Sequence, residues 1–75
     1  MNRYFYITYK YAGAGFNGDG SYTLETNEYP SRGGIEAYAK EHIEKKEGRP
    51  VTVMVNTILE MNEQDFRAFE KGYNQ

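Results

Sequence analysis

The chain contains no cysteine and no tryptophan, and only two prolines among its 75 residues. Without cysteine there can be no disulfide bond, thiolate zinc site, iron–sulfur cluster or cysteine nucleophile. A chain of this length lies near the lower limit at which a hydrophobic core alone stabilises a fold. We therefore expect one small domain over residues 1–75 that depends on its apolar core.

Long apolar runs are also missing. No stretch approaches the ~20 apolar residues that a membrane helix needs, and no apolar segment follows the start Met1-Asn2-Arg3. The sequence predicts neither a membrane helix nor a signal peptide. We therefore expect a cytoplasmic protein that does not contact a membrane.

The chain has no block of one charge. Nine cations are dispersed among eleven anions, and the formal net charge is −2. Proteins that bind nucleic acid through its phosphates usually carry a basic patch, so this composition disfavours nucleic acid. Tyrosine, in contrast, is abundant with eight copies, and it is a residue type that suits recognition surfaces.

The most distinctive segment is Arg3–Tyr11, where five of nine residues are aromatic. Aromatic and β-branched side chains favour a strand, and alternation along a strand sends Phe5, Ile7 and Tyr9 to one face. The opposite face then carries Tyr4, Tyr6, Thr8 and Lys10. The segment predicts a central strand with one oily and one amphipathic face.

The rest of the chain predicts the order strand, strand, helix, strand, helix. These elements cover Ser21–Asn27, about residues 32–47, Pro50–Leu59 and Glu63–Lys71. A right-handed crossover places the first strand between the other two, in the order 2-1-3. Three strands span only about 14 Å, which two helices can cover from one side. We therefore predict an α+β fold (β-β-α-β-α) with a mainly antiparallel sheet and both helices packed on one face.

Four glycines lie between residues 12 and 20, and they predict a long, flexible connection between the first two strands. Residues 13–18 match the pattern G-x-G-x-x-G. A strand follows this pattern where a dinucleotide-binding fold requires a helix, so nucleotide binding is disfavoured. Phe16 lies at the tip of this predicted loop and is a candidate contact residue.

No arrangement of catalytic or metal-binding residues stands out. The single histidine, His42, lies about 16 Å along the same predicted helix from Ser31, and the other serine, Ser21, begins a strand. Asn17 and Asp19 lack the regular ligand spacing of a calcium loop. We therefore predict a protein that is not an enzyme and that holds no cofactor or metal ion.

If both helices cover the oily face, Tyr4, Tyr6, Lys10 and Met54 stay exposed, and with Phe16 they are the candidate binding residues. Exposed tyrosines suit a protein interface, although tyrosine and threonine also form sheets without any ligand. The sequence favours a small protein-interaction module that contacts a protein partner or itself. The contact surface would be the aromatic sheet face, an edge strand or the glycine-rich loop. Single-stranded nucleic-acid binding on the aromatic face is the alternative.

Overall fold

Three strands and two helices follow one another in the computed structural model, which describes residues 2–73. The elements are β1 Arg3–Gly13, β2 Phe16–Thr26, α1 Arg32–Glu47, β3 Thr52–Met61 and α2 Glu63–Tyr73. β1 lies in the centre and is antiparallel to both neighbours, which gives the strand order β2-β1-β3. The predicted α+β class and strand order are confirmed.

The core lies between α1 and one side of the sheet, which we call the inner face. Phe5 and Ile7 of β1 have no solvent exposure and pack with Ile35 of α1. A second cluster joins the sheet to the later part of α1, and its buried members are Tyr9, Ala39, Ile43, Val51 and Val53. The predicted alternation of β1 therefore holds on this face.

The bounds of α1 follow from its two ends. Ser31 caps the helix, because its hydroxyl oxygen accepts a hydrogen bond from the N–H of Gly34 at 3.0 Å. Gly48 ends it with a φ of 72°, a left-handed conformation that glycine adopts without steric cost. The N–H of Gly48 then donates to the carbonyl of Glu44 at 2.8 Å. These ends agree with the predicted span of residues 32–47.

A β-bulge in β3 changes what the other side of the sheet, the outer face, carries. Asn56 is the extra residue, and beyond it Leu59 lies opposite Tyr6 while Met61 lies opposite Tyr4. Residues directly opposite each other on paired strands point to the same face. The bulge therefore places two large apolar side chains beside the two tyrosines, and Leu59 stays 52% exposed there.

α2 packs on the tyrosine rings of β1 on the outer face, so the prediction that both helices pack on one face is wrong. The ring of Phe66 lies 4.9 Å from the ring of Tyr4, and the ring of Phe69 lies 5.2 Å from that of Tyr6. Phe66 is buried by this contact. The prediction relied on the width of the inner face and did not include the apolar area that the rings of Tyr4 and Tyr6 give to the outer face.

Polar contacts hold α2 toward the β2 side of the sheet. Arg67 pairs with Glu25 of β2 at 3.4 Å, and its guanidinium lies 5.4 Å from the ring centre of Tyr4. Glu70 accepts a hydrogen bond from the Thr23 hydroxyl at 3.2 Å. α2 therefore covers one end of the outer face next to β2, and desolvation there raises the pKa of Tyr4.

The glycine-rich segment is not the predicted flexible loop. β1 continues to Gly13 and β2 starts at Phe16, so only Ala14 and Gly15 form the turn, with a φ of 81° at Gly15. Gly18 and Gly20 lie within β2, opposite Tyr11 and Tyr9. A Cβ on either glycine would come within 2.5 Å of the facing tyrosine hydroxyl. The glycines make room for rings that cross from β1 over β2.

Candidate functional site

The five residues predicted to bind do not share one surface. Tyr4 is only 7% exposed beneath α2, and Tyr6 is half-buried next to it. Phe16 lies on the inner face, where the guanidinium of Arg49 stacks 4.2 Å from its ring centre. Lys10 and Met54 are well exposed and lie opposite each other on the outer face. Their role in binding stays a prediction.

The uncovered part of the outer face is a shallow, mainly polar groove of about 610 Å³. Its side chains include Thr8, Lys10, Ser21, Asn56 and Leu59. One hydrogen bond spans it, from the Asn56 amide to the Thr8 hydroxyl at 3.3 Å. Lys10 and Asp19, which lie opposite each other on β1 and β2, both line the groove, and its other polar groups are hydroxyls and one amide.

A row of neighbouring aromatic side chains lies instead on the inner face, on the half of the sheet toward β2. Neighbouring ring centres are separated by 4.7 to 6.4 Å, and the five rings, which we call the aromatic row, are Phe16, Tyr11, Tyr9, Tyr22 and Tyr38. Tyr38 of α1 is 57% exposed. The sequence did not predict this row, because its members come from three separate elements, β1, β2 and α1.

The end of the row at Tyr22 and Tyr38 borders an apolar cavity of about 310 Å³ between β2 and α1. Leu24, Pro30 and Ile35 supply most of the remaining apolar lining. Burial raises the pKa of Tyr22, and of Tyr9 beside it, so both hydroxyls stay neutral at physiological pH. This end of the row is therefore a neutral, largely apolar recess that opens beside β2.

The two edges of the sheet differ in how their backbone groups are satisfied. At the β3 edge, the N–H of Val55 donates to the carboxylate of Glu36 at 3.3 Å. The N–H of Val51, which precedes β3, donates to the carboxylate of Glu44 at 3.0 Å. Two glutamates on one flank of α1 thus cap outward-pointing amides, and α1 lies along this edge of the sheet.

The β2 edge has no comparable cover. Hydrogen-bonded and non-hydrogen-bonded pairs alternate along antiparallel strands, and the two-residue turn is closed by the pair Gly13 and Phe16. This alternation directs the backbone N–H and C=O groups of every second β2 residue away from β1, namely those of Asn17, Asp19, Ser21, Thr23 and Glu25. Within residues 2–73, no side chain bonds to any of these outward amides.

β2 also lacks the devices that usually protect an edge strand. Natural edges are blunted by lysine, proline, bulges or a covering segment. β2 is eleven residues long, contains no lysine, arginine or proline, and pairs with β1 without a register shift. Its only charged side chains are Asp19 and Glu25, and Arg67 already pairs with Glu25. Among the described residues, β2 is thus a long edge strand without these protective features.

The candidate catalytic and metal-binding residues form no such site in the described part of the chain. Ser31 serves as a helix cap and His42 is exposed on α1, so neither belongs to a nucleophile–base pair. Residues 2–73 contain no group of three histidine, aspartate or glutamate side chains placed to hold a metal ion. Over the same range, no helix is long and apolar enough to span a membrane.

Comparison with known proteins does not add to this description. No protein-family model, curated protein or solved structure matches the chain.

Proposed function

We propose that this protein is a non-enzymatic protein-interaction module and that its contact surface is the free edge of β2. The observation that carries the proposal is the difference between the two edges of the sheet. Carboxylates of α1 cap amides at the β3 edge, whereas no side chain of the described residues caps the outward amides of β2. An extended segment of a protein can satisfy those amides by adding a strand.

The energetics favour such an addition. Each backbone hydrogen bond between strands contributes about 0.5–1.5 kcal/mol net, and five residues of β2 direct their backbone groups outward. Main-chain bonding alone does not select a partner, so specificity must come from side chains. Tyr22 and Tyr38, together with the apolar cavity beside them, provide a surface for the side chains of the added strand.

Single-stranded nucleic acid remains the alternative, and one observation favours it. Tyr38 is exposed, and helical spacing puts His42, Lys45 and Lys46 on the same flank of α1. Stacking, however, needs free ring faces. The guanidinium of Arg49 covers Phe16, and α2 covers Tyr4. The ring centres of Tyr22 and Tyr38 lie 4.7 Å apart, so these two rings cover each other in part. The edge of β2 offers more unused bonding capacity than the rings do.

The proposal is tested by blocking one outward amide. Ser21→Pro removes an N–H that bonds to nothing in the described chain and leaves the ladder to β1 intact, because proline is tolerated on free edges. Ser21→Thr is the matched control, since it keeps the N–H and a β-branched side chain favours strands. Wild type and both variants are immobilised and exposed to extract from the source cells.

The bound material is analysed by mass spectrometry and by sequencing of co-purified nucleic acid. We expect a protein that is retained by wild type and Ser21→Thr and lost from Ser21→Pro. Equal retention by all three would show that the β2 edge is not the contact surface. Recovery of nucleic acid without an edge-dependent protein would favour the alternative function.

A further inference from the structure

The geometry points to a second copy of this chain as the occupant of the β2 edge, an inference that rests on the proposed function above. Two β2 strands would pair antiparallel about a two-fold axis through Ser21. The two three-stranded sheets would then form one continuous six-stranded sheet. A two-fold interface requires a surface that is complementary to itself, and β2 meets this requirement in its length, its side-chain sizes and its charges.

The length of β2 fixes the centre of the pairing. Ser21 is the midpoint of Phe16–Thr26, so an axis through it lets both strands pair over their full length. Ser21 is also one of the residues whose backbone groups point outward, as the alternation along β2 requires. Pairing about Ser21 therefore uses all five outward residues of both copies.

The inner-face side chains of β2 are self-complementary in size. The second half of the strand carries the large residues Tyr22 and Leu24, and the first half carries Gly18 and Gly20. Pairing about Ser21 puts each glycine opposite one of the large residues of the second copy, Gly20 opposite Tyr22 and Gly18 opposite Leu24. The rings of Tyr9 and Tyr11, which lie over these glycines, give those side chains an aromatic surface to pack on.

The charges on the outer side of β2 are compatible with the same register and disfavour two others. Pairing about Ser21 puts Asp19 opposite Thr23 of the second copy, and Glu25 opposite Asn17. A shift of the axis to Asp19 would oppose two aspartates, and a shift to Tyr22 would oppose Asp19 and Glu25. Like charges directly opposite each other destabilise a strand pair, so these two registers are disfavoured.

The position of α1 leaves room for this arrangement. Glu36 and Glu44 tie α1 to the β3 side, so the inner face of β2 is covered by tyrosine side chains and not by a helix. In the two-fold pair, the tyrosine-covered inner face of β2 in one copy lies next to the same surface of the second copy. Tyr22 and Tyr38 of both copies then fill the space between the two α1 helices. Glu28, just after β2, comes to the same end of the interface as Arg49 of the second copy.

Sedimentation equilibrium of the purified full chain tests the inference. We expect a monomer–dimer equilibrium for wild type and for Ser21→Thr, and loss of the dimer for Ser21→Pro. Circular dichroism of each variant establishes that it is folded. A wild type that stays monomeric at its highest soluble concentration would overturn the inference, and so would a dimer that Ser21→Pro does not weaken.

The register is tested by cross-linking, which does not depend on the proline variant. The chain has no cysteine, so Ser21→Cys introduces a single thiol on the proposed axis. Opposite residues of a hydrogen-bonded pair have Cα atoms about 5.5 Å apart, within the ~4.4–6.8 Å that a disulfide spans. In Asp19→Cys the two thiols are offset by four residues, about 13 Å along the strands.

Oxidation should therefore cross-link Ser21→Cys and leave Asp19→Cys uncoupled. Equal or stronger cross-linking of Asp19→Cys would contradict the proposed register. The failure of this inference can be told apart from the failure of the proposed function. A monomeric chain that still retains a protein through its β2 edge would refute the second copy as occupant but keep the proposed function, whereas a monomeric chain with no edge-dependent partner would refute both.

Discussion

The two edges of this small sheet face different surroundings, although both belong to long strands. Next to β3, Glu36 and Glu44 lie on one flank of α1 and accept hydrogen bonds from Val55 and Val51. Next to β2, the opposite flank of α1 presents Tyr38, which contacts Tyr22 through its ring. One helix thus caps one amide of β3 and the amide just before the strand with carboxylates, and lines the other edge with an aromatic side chain. The difference follows from the displacement of a single helix to one side of the sheet.

The two helices make a similar contrast on the two faces. α1 buries Ile35, Ala39 and Ile43 on the inner face, whereas Phe66 is the buried residue that anchors α2 on the outer face. The ion pair between Arg67 and Glu25 at 3.4 Å is exposed, and exposed pairs stabilise little. Phe66 is therefore the side chain that contributes most to holding α2 on the outer face.

The largest expected effect comes from removing that attachment. Phe66→Ala should lower the free energy of unfolding by about 3 kcal/mol, because it deletes a buried ring and leaves a cavity over Tyr4. Phe69→Ala is the control. Phe69 is 43% exposed, so this variant should lose much less of its free energy of unfolding. Chemical denaturation measures both. Equal losses would mean that α2 is not anchored at Phe66.

The next effect tests the glycines of β2. Gly20→Val should destabilise the protein by about 1–3 kcal/mol, because the added side chain meets the Tyr9 ring and forces it to move. Gly33→Ala in α1 is the matched control. A Cβ on Gly33 would meet no other atom within 4 Å, and alanine should stabilise the helix by about 0.5–1 kcal/mol. Thermal unfolding that ranks the two variants in the opposite order would contradict the ring-over-glycine packing.

Structural features that depend on residues close together in the chain were predictable from the sequence. Alternation in Arg3–Tyr11 indicated the central strand and its buried residues Phe5 and Ile7, and the predicted helix over about residues 32–47 agrees with α1. These features depend on periodicity and on capping, which act over a few residues. The order of the strands followed from chain connectivity.

Features that depend on pairing between distant residues were not predictable. The bulge at Asn56 sends Leu59 to the outer face, and nothing in the local sequence marks that change. Gly18 and Gly20 resembled a loose loop because the tyrosines that cover them belong to another strand. An edge strand was one of the three contact surfaces that the sequence suggested, but the contrast between the two edges was not predictable, because it depends on which way α1 is displaced across the sheet.

A smaller effect tests the closed edge. Glu36→Ala combined with Glu44→Ala removes both acceptors, so the amides of Val55 and Val51 should exchange faster with solvent. Glu41→Ala combined with Glu47→Ala removes the same charge from α1 and should leave those two amides unchanged. Hydrogen exchange followed by NMR compares the variants. Unchanged exchange in the first double variant would show that the carboxylates do not protect this edge.

The smallest effect is a pH dependence at the same edge. A hydrogen bond from Arg32, together with the bond from Val55, holds the pKa of Glu36 below its ordinary value near 4.5. Because the folded pKa is lowered, this stabilisation is fully present above the unfolded pKa and is lost as pH falls through the folded value. Glu36→Ala should flatten the acid side of the stability profile slightly. An unchanged slope between neutral and acidic pH would contradict this role.

The most direct test of the contrast between the edges is amide hydrogen exchange, measured by NMR in dilute and in concentrated solution. In dilute solution, the amides of Ser21 and Thr23 should exchange faster than that of Val55, because, of these three, only the Val55 amide is bonded within the part of the chain that the structure describes. In concentrated solution, the Ser21 and Thr23 amides should become protected while Val55 stays the same. Protection of Ser21 and Thr23 at every concentration, or a change confined to Val55, would contradict an open β2 edge and a closed β3 edge.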